Sequence, residues 1–190
     1  LAVHTEVEDV CPQVPLPAAW EEYVNGLRRK DRHELRRKLR RLTKDYEVDI
    51  QELTAPAEVS GALDDFLRLH TSSRIEKARF MTEPMKRFFR RVVTALAEEG
   101  LVRLYFLTLD GVRAAAVLCF DGPRDLLLYN SGYDPAYASL SVGIVSKALT
   151  IKEAIAREKD CLDFLRGAEP YKYDLGARDL NVYRMVIQRA

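Results

Sequence analysis

One segment, Tyr129–Gly176, leaves the chain few folds to choose from: YNSGYDPAYASLSVGIVSKALTIKEAIAREKDCLDFLRGAEPYKYDLG. It reads as strand, polar loop, amphipathic helix, second strand and a polar tail carrying a Tyr-Lys pair. Leu126–Tyr133 is apolar and aromatic. Ile144, Ala148, Ile151 and Ile155 then recur at helical spacing, with Lys147, Lys152 and Glu153 turned the other way. Cys161–Leu165 is a short apolar run after the helix. Strand, helix, strand over this length predicts a βαβ unit, with parallel strands, a right-handed crossover and ligands at the carboxyl ends of the strands.

The loop Asp134–Gly143 feeds that helix. A helix start leaves N–H groups unpaired and attracts anions. Ser139 or Ser141 suits the N-cap, and Gly143, without a Cβ, lets a phosphate approach the main chain. The alternative is a capped helix with no ligand.

The 190 residues, 47% hydrophobic, suffice for one well-buried domain. A net charge of +1 excludes an overall field drawing the chain to nucleic acid or to an acidic substrate. Cys11, Cys119 and Cys161 are odd in number and widely spaced, so they read as reduced core residues, and no metal site is expected. No apolar run approaches membrane-spanning length and the start lacks a signal pattern, which predicts a cytoplasmic enzyme or binding protein with no membrane contact. The opening on Leu1 suggests one half of a longer polypeptide.

Residues 1–16, rich in proline, read as an extended arm over a sheet edge or a linker, ahead of a single domain over 17–190. Trp20, Tyr23, Val24 and Leu27 share a helix face after Pro17. A second helix is predicted from Asp31, with Glu34 completing a capping box. It carries Arg36, Arg37, Arg40 and Arg41 around a stripe of Leu35, Leu39 and Leu42. This is either a phosphate or RNA surface or a solvated face, and no aromatics interleave to stack bases. Tyr46–Leu53 reads as a strand. A helix ending near His70 follows, then a polar segment to Met81 and a helix Pro84–Glu99 packing through Phe88, Phe89, Val92, Val93 and Leu96. Leu101–Leu109, Val112–Phe120 and Leu126–Tyr133 form an antiparallel meander, its first turn marked by Asp110-Gly111. Ala114, Ala115 and Ala116 imply tight packing across the middle strand. Asn181–Gln188 is a last strand.

This order, with FLRLH, KARFM, MKRFFR, LTLDGVRAAAVLCF, LYNSGYDPAYASLSVG and LDFLRGAEPYKYDLG, resembles the CelD-like branch of the GNAT acyltransferases, relatives of the FemAB peptidyl transferases. The resemblance runs from Trp20 to the C-terminus. It implies an α/β GNAT fold, a mixed sheet with an antiparallel meander, one parallel crossover and helices on both faces. It further implies acyl transfer from acetyl-CoA or another acyl-coenzyme A to a small-molecule or peptide amine, with the donor's pyrophosphate at Leu140, Ser141, Val142, Gly143 and Ile144. Only Gly143 stands for the glycine-rich sequence of simpler GNAT enzymes. Tyr171-Lys172 occupies the place of a Phe-Lys pair near the FemAB active site. Such relatives often carry two GNAT-like domains in tandem, and this chain supplies one. Two alternatives are an aminoacyl-tRNA-dependent transferase, with tRNA as partner, and a non-catalytic binding module.

Attack on a thioester needs a free amine, a donor to the developing oxyanion and a proton for the thiolate. Glu169 is the preferred base. Asp163, between Leu162 and Phe164, is either a second base or a salt-bridged structural carboxylate. Backbone near Gly132 is the expected oxyanion donor, since glycine within a strand marks a bulge or close approach. Tyr171 is the expected acid and Lys172 the stabiliser of negative charge, the alternative being a core aromatic beside a surface lysine. His70, Arg74 and Lys77 are expected at the cleft rim as acceptor contacts, with Tyr129, Asn130 and Tyr133 on the strand facing them; a favourable charge at a helix end is the other reading of His70.

Overall fold

A computed structural model describes residues 2–188. Seven strands form one sheet in the order β2-β3-β4-β5-β6-β1-β7. The elements are β1 (Ala2–Pro15), α1 (Trp20–Gly26), α2 (Arg29–Asp45), β2 (Val48–Leu53), α3 (Pro56–Ser73), α4 (Ile75–Phe80) and α5 (Glu83–Glu98). They continue with β3 (Val102–Leu109), β4 (Val112–Asp121), β5 (Asp125–Tyr133), a 3₁₀ turn (Pro135–Leu140), α6 (Val142–Ala156), β6 (Cys161–Asp163), α7 (Pro170–Asp174) and β7 (Arg178–Gln188). The β3–β4–β5 meander forms as expected, and β5–β6 is the parallel pair; the other pairings are antiparallel.

Strand alternation sends side chains to two covered faces. Leu104, Phe106, Ala116 and Leu118 pack under α3 and α5, where Phe66, Phe89 and Val93 close the layer. Tyr105, Val117 and Cys119 point the other way, against Ala148 and Ile151 of α6 and Tyr23 and Val24 of α1. The three alanines of β4 are fully buried, Ala116 beneath α3 and Ala114 and Ala115 beside Val142 and Val145 of α6.

Residues 2–15 are not a linker, and the extended arm expected over a sheet edge is a full strand of the sheet. They form a strand inserted between β6 and β7, which itself begins at Arg178 rather than Asn181. Pro12 falls just outside the short β1–β6 pairing and Pro15 at its last position, where the strand ends. Beyond β6 the β1–β7 ribbon carries Val3, Val7, Tyr183, Met185 and Ile187 exposed.

The predicted capping box does not form. α2 starts at Arg29, and Asp31 lies inside its first turn, accepting from Arg28 Nε at 2.6 Å. Glu34 pairs instead with Arg37 and Lys38, and Arg36 reaches Glu21, so acids of α1 and α2 answer much of the basic run. Such exposed pairs contribute at most about 1 kcal/mol each. Phe88 lies on the solvent side of α5. The polar segment after His70 is itself helical, as α4.

Candidate functional site

β5 and β6 pair over three residues, from Asp125↔Cys161 to Leu127↔Asp163, and then separate. β5 continues for six residues while the chain after Asp163 turns away, and a cavity of about 440 Å³ opens at this carboxyl edge. α6 approaches it from one face of the sheet, and the α3–α4 junction from the other.

The first wall is the start of α6. Ser141 adopts the left-handed conformation (φ 59°) at the joint between the 3₁₀ turn and the helix, and its side chain makes no capping bond. The N–H groups of Ile144 and Val145 both turn back to Ser141 O, while among the described residues those of Val142 and Gly143 have no backbone acceptor. Ser141, Val142, Gly143 and Ile144 line the cavity; Leu140 does not, and packs with Leu42, Leu107 and Val145. Gly143 has a different reason from the one expected. A Cβ there would stand 2.9 Å from the Tyr133 ring, so the missing side chain makes room for Tyr133.

The second wall is β5. Leu118 faces Asn130 while Cys119 faces Leu128, so Tyr129 is an extra residue, a bulge. It shifts the alternation by one. The Tyr129 ring stacks on Phe89 and packs tilted against Phe120, Gly132 turns to α3, and Tyr133 turns to α6. Tyr129, Asn130 and Tyr133 line the cavity. Gly132 does not: a Cβ there would lie 2.3 Å from His70 N, so the close approach is that of the α3 backbone and not of a ligand. The bulge expected at Gly132 sits at Tyr129.

His70 is likewise no rim residue. It is 2% exposed, stacks on Phe66 and places Nδ1 3.1 Å from Ser131 O. A carbonyl only accepts, so Nδ1 carries the proton. Burial first, then the Lys77 charge, push its pKa down to about 4 against the hydrogen bond, and the ring is neutral at physiological pH. Arg74 and Lys77, in contrast, reach the cavity, and Lys77 Nζ donates to the same Ser131 carbonyl. Burial, reinforced by Arg74, lowers the Lys77 pKa to about 8.

The third wall follows β6. Asp163 is buried away from the cavity, where its carboxylate accepts from Gln13 Nε2 (2.9 Å) and from the Leu165 N–H (2.6 Å). It is the structural carboxylate of the two readings and holds the turn after β6. Lys172 has a similar task. Only 2% exposed, its ammonium donates to the carbonyls of Leu165, Arg166 and Gly167 and pairs with Glu169 at 2.8 Å. Four acceptors for three protons leave none to stabilise an oxyanion, and Lys172 instead fixes a loop whose Leu165 and Gly167 have positive φ. Glu169 and Tyr171 do face the cavity. Burial tends to raise the Glu169 carboxyl, but the Lys172 hydrogen bond and the charges of Lys172 and Arg74 outweigh it and hold it below the usual range. Burial pushes the Tyr171 phenol up to about 12, so it keeps its proton.

Sequence reasoning missed Lys147. Expected on the solvent side of α6, it is 7% exposed and lines the cavity, donating to Gly143 O (2.8 Å) with Nζ 5.0 Å from the Tyr171 ring centroid. Burial, with the charges of Lys77 and Arg74, brings its pKa down to about 7. A signal was present: Lys147 lies four residues after Gly143 and one before Ala148, on the edge of the apolar stripe rather than opposite it.

Residues 29–173 match the family model described as acetyltransferase (GNAT) domain. The chain belongs to this GNAT acetyltransferase family. Acyl transfer is the broad activity that this supports. No curated protein sequence matches the chain significantly. Among solved structures, the GNAT domain is similar to FemX, with 10% identity and a TM-score of 0.71 over 92% of this chain and 60% of that one. It is similar to the C-terminal domain of a putative lysylphosphatidylglycerol synthetase from Agrobacterium fabrum, with 10% identity and a TM-score of 0.66 over 99% and 62%. A tandem GNAT protein from the clavulanic acid biosynthesis pathway matches with 12% identity and a TM-score of 0.50 over 97% and 55%. At these identities the likeness is one of fold. The GNAT chain thus spans about 60% of the length of the first solved structures it resembles. Among the described residues no helix is long and apolar enough to cross a membrane, and no cluster of potential metal ligands occurs.

Proposed function

We propose that this domain transfers an acyl group, acetyl or another, from an acyl-coenzyme A thioester to an amine in the cavity between β5 and β6. The observation that carries the reading is the divergence of these strands, which brings the start of α6 and the Glu169–Tyr171 segment to one opening. The pyrophosphate would lie at the free N–H groups of Val142 and Gly143, the thioester along the edge of β5 that β6 has left. The amine attacks the carbonyl carbon, the C–N bond forms, the C–S bond breaks, and Tyr171 gives its proton to the departing thiolate. Glu169 takes the ammonium proton, directly or through water; its lowered pKa makes it a weak base.

In this reading the chain is one unit of a tandem arrangement, acting in the cytoplasm. Calorimetric titration with acetyl-CoA tests the donor. Saturable binding is expected; none would refute the donor and leave an aminoacyl-tRNA as the alternative source. Tyr171→Phe should slow transfer by roughly tenfold or more from a thioester with a poor leaving thiol and less from an activated one. Equal slowing would remove Tyr171 as the acid.

A further inference from the structure

We infer that the acyl acceptor carries an anionic group, a carboxylate or a phosphate, held in the slot between Arg74 and Lys77 on one side of the sheet and Lys147 on the other. The inference rests on the acyl-transfer reading for the word acceptor; the anion site itself rests on the cations alone.

Glu169 attracts these three groups through space without pairing directly with any of them. Arg74, Lys77 and Lys147 have no carboxylate within ion-pair distance among the described residues, whereas Arg166 at the same cavity is answered by Glu8 and Asp9. Glu169, the acid among the described lining residues, already pairs with Lys172. The donors are also largely unspent. Lys147 uses one N–H on Gly143 O and Lys77 one on Ser131 O, and the Arg74 guanidinium has no hydrogen bond to a described residue. An ammonium has three donors and a guanidinium five, so most of the capacity of the cluster points to a ligand. Like charges gathered in a partly buried space oppose one another, and the lowered pKa values of Lys77 and Lys147 reflect that opposition as well as burial. An anion between them offsets the repulsion and compensates the buried charge.

Placement assigns the anion to the acceptor rather than to the donor. The free N–H groups of Val142 and Gly143 lie at the start of α6, on one face of the sheet. Arg74 and Lys77 follow α3, which covers the opposite face. A group touching Lys77 and Lys147 together therefore occupies the slot itself, where the acyl carbon must sit, and not the outer mouth where a long donor leaves its phosphates. A compact acceptor with an amine and an anion, such as an amino acid or an amino sugar phosphate, fits the volume and gains its orientation from the pair.

The experiment is calorimetric titration of the full chain with inorganic phosphate at low ionic strength, with and without saturating acetyl-CoA. Saturable binding is expected in the wild type, weakened about tenfold or more by Lys77→Met and by Lys147→Met, and unchanged by Lys152→Met, an exposed lysine of the same helix. Melting curves establish that each variant is folded, and Lys77→Met at the cavity rim serves alone if Lys147→Met does not fold. Phosphate affinity that persists under saturating acetyl-CoA supports an acceptor site. Displacement by acetyl-CoA overturns it and gives the cluster to the donor. No saturable heat up to roughly 50 mM phosphate, or equal weakening by Lys152→Met, also overturns it. Phosphate binding through Lys77 and Lys147 in a chain that ignores acetyl-CoA would refute the donor reading while leaving the anion site standing.

Discussion

Lys147→Met removes the charge of a buried, unpaired lysine of the cavity while keeping the length of its stem. Burial chiefly, and the charges of Lys77 and Arg74 in addition, lower its pKa from 10.5 to about 7 in the folded protein. In the unfolded chain it titrates at about 10.4. Between these values the unfolded state binds a proton that the folded state does not, so this group makes stability rise with pH, by up to ~1.4 kcal/mol per pH unit. Below about pH 7 both states are protonated, and the fold carries the whole penalty of the buried ammonium, on the order of 5 kcal/mol from the separation of the two values. Above about pH 10.5 the penalty is gone. The variant has none of it and loses one hydrogen bond to Gly143 O, worth about 1 kcal/mol. Urea unfolding at several pH values should therefore find Lys147→Met more stable than wild type by a few kcal/mol near about pH 6. The gap should narrow by ~2 kcal/mol between about pH 7.5 and 9. Lys77, which titrates at about 8, is present in both proteins, and its repulsion of the Lys147 ammonium is part of the penalty that the variant removes. Parallel stability curves, or a variant less stable than wild type in mild acid, would refute a buried, unneutralised Lys147.

Gly132→Ala should lower stability by about 3 kcal/mol or more in urea, because its Cβ would meet main-chain atoms of Leu69 and His70 at 2.3–2.4 Å and no rotamer relieves a backbone clash. A loss under ~1 kcal/mol would mean that α3 shifts freely. Lys172→Met strands three carbonyls and the Glu169 carboxylate, so its main effect should be on folding, a loss of roughly 3–5 kcal/mol. A Lys172→Met protein that melts like wild type yet loses turnover would restore a catalytic role to that residue.

The strands of the meander and the crossover were legible because Asp110-Gly111 and the apolar alternation of β3 to β5 are local signals. The site was half legible. Glu169, Tyr171 and the α6 start were found because the carboxyl edge of a parallel pair follows from topology. The two glycines were located for the wrong reason. Both mark close approach, but the sequence does not say what approaches; at Gly132 it is α3 and at Gly143 it is Tyr133. The Tyr129 bulge flips the facing of every later residue of β5 and has no signature of its own. Asp163 and Lys172 sit in a chemically suggestive segment, and only the partners they find, Gln13 and the 165–167 carbonyls, give them structural roles. β1 was missed because its prolines argue against a strand, and its partners lie some 150 residues away.

That first strand has a consequence for how the domain comes together. β6 is three residues long, and its far edge is held by Gln13, Val14 and Pro15, whose strand also carries the whole of β7. The earliest stretch of the chain, backed by the latest, thus holds the shortest strand, the one from which the third wall of the cavity departs. During synthesis β1 waits unpaired until residues beyond 160 have emerged, so this edge of the sheet is assembled last, across the largest sequence separation in the molecule. A polypeptide trimmed to begin at α2 would keep most of the buried core yet leave β6 and β7 without their common neighbour. It would fold around a cavity with one wall adrift.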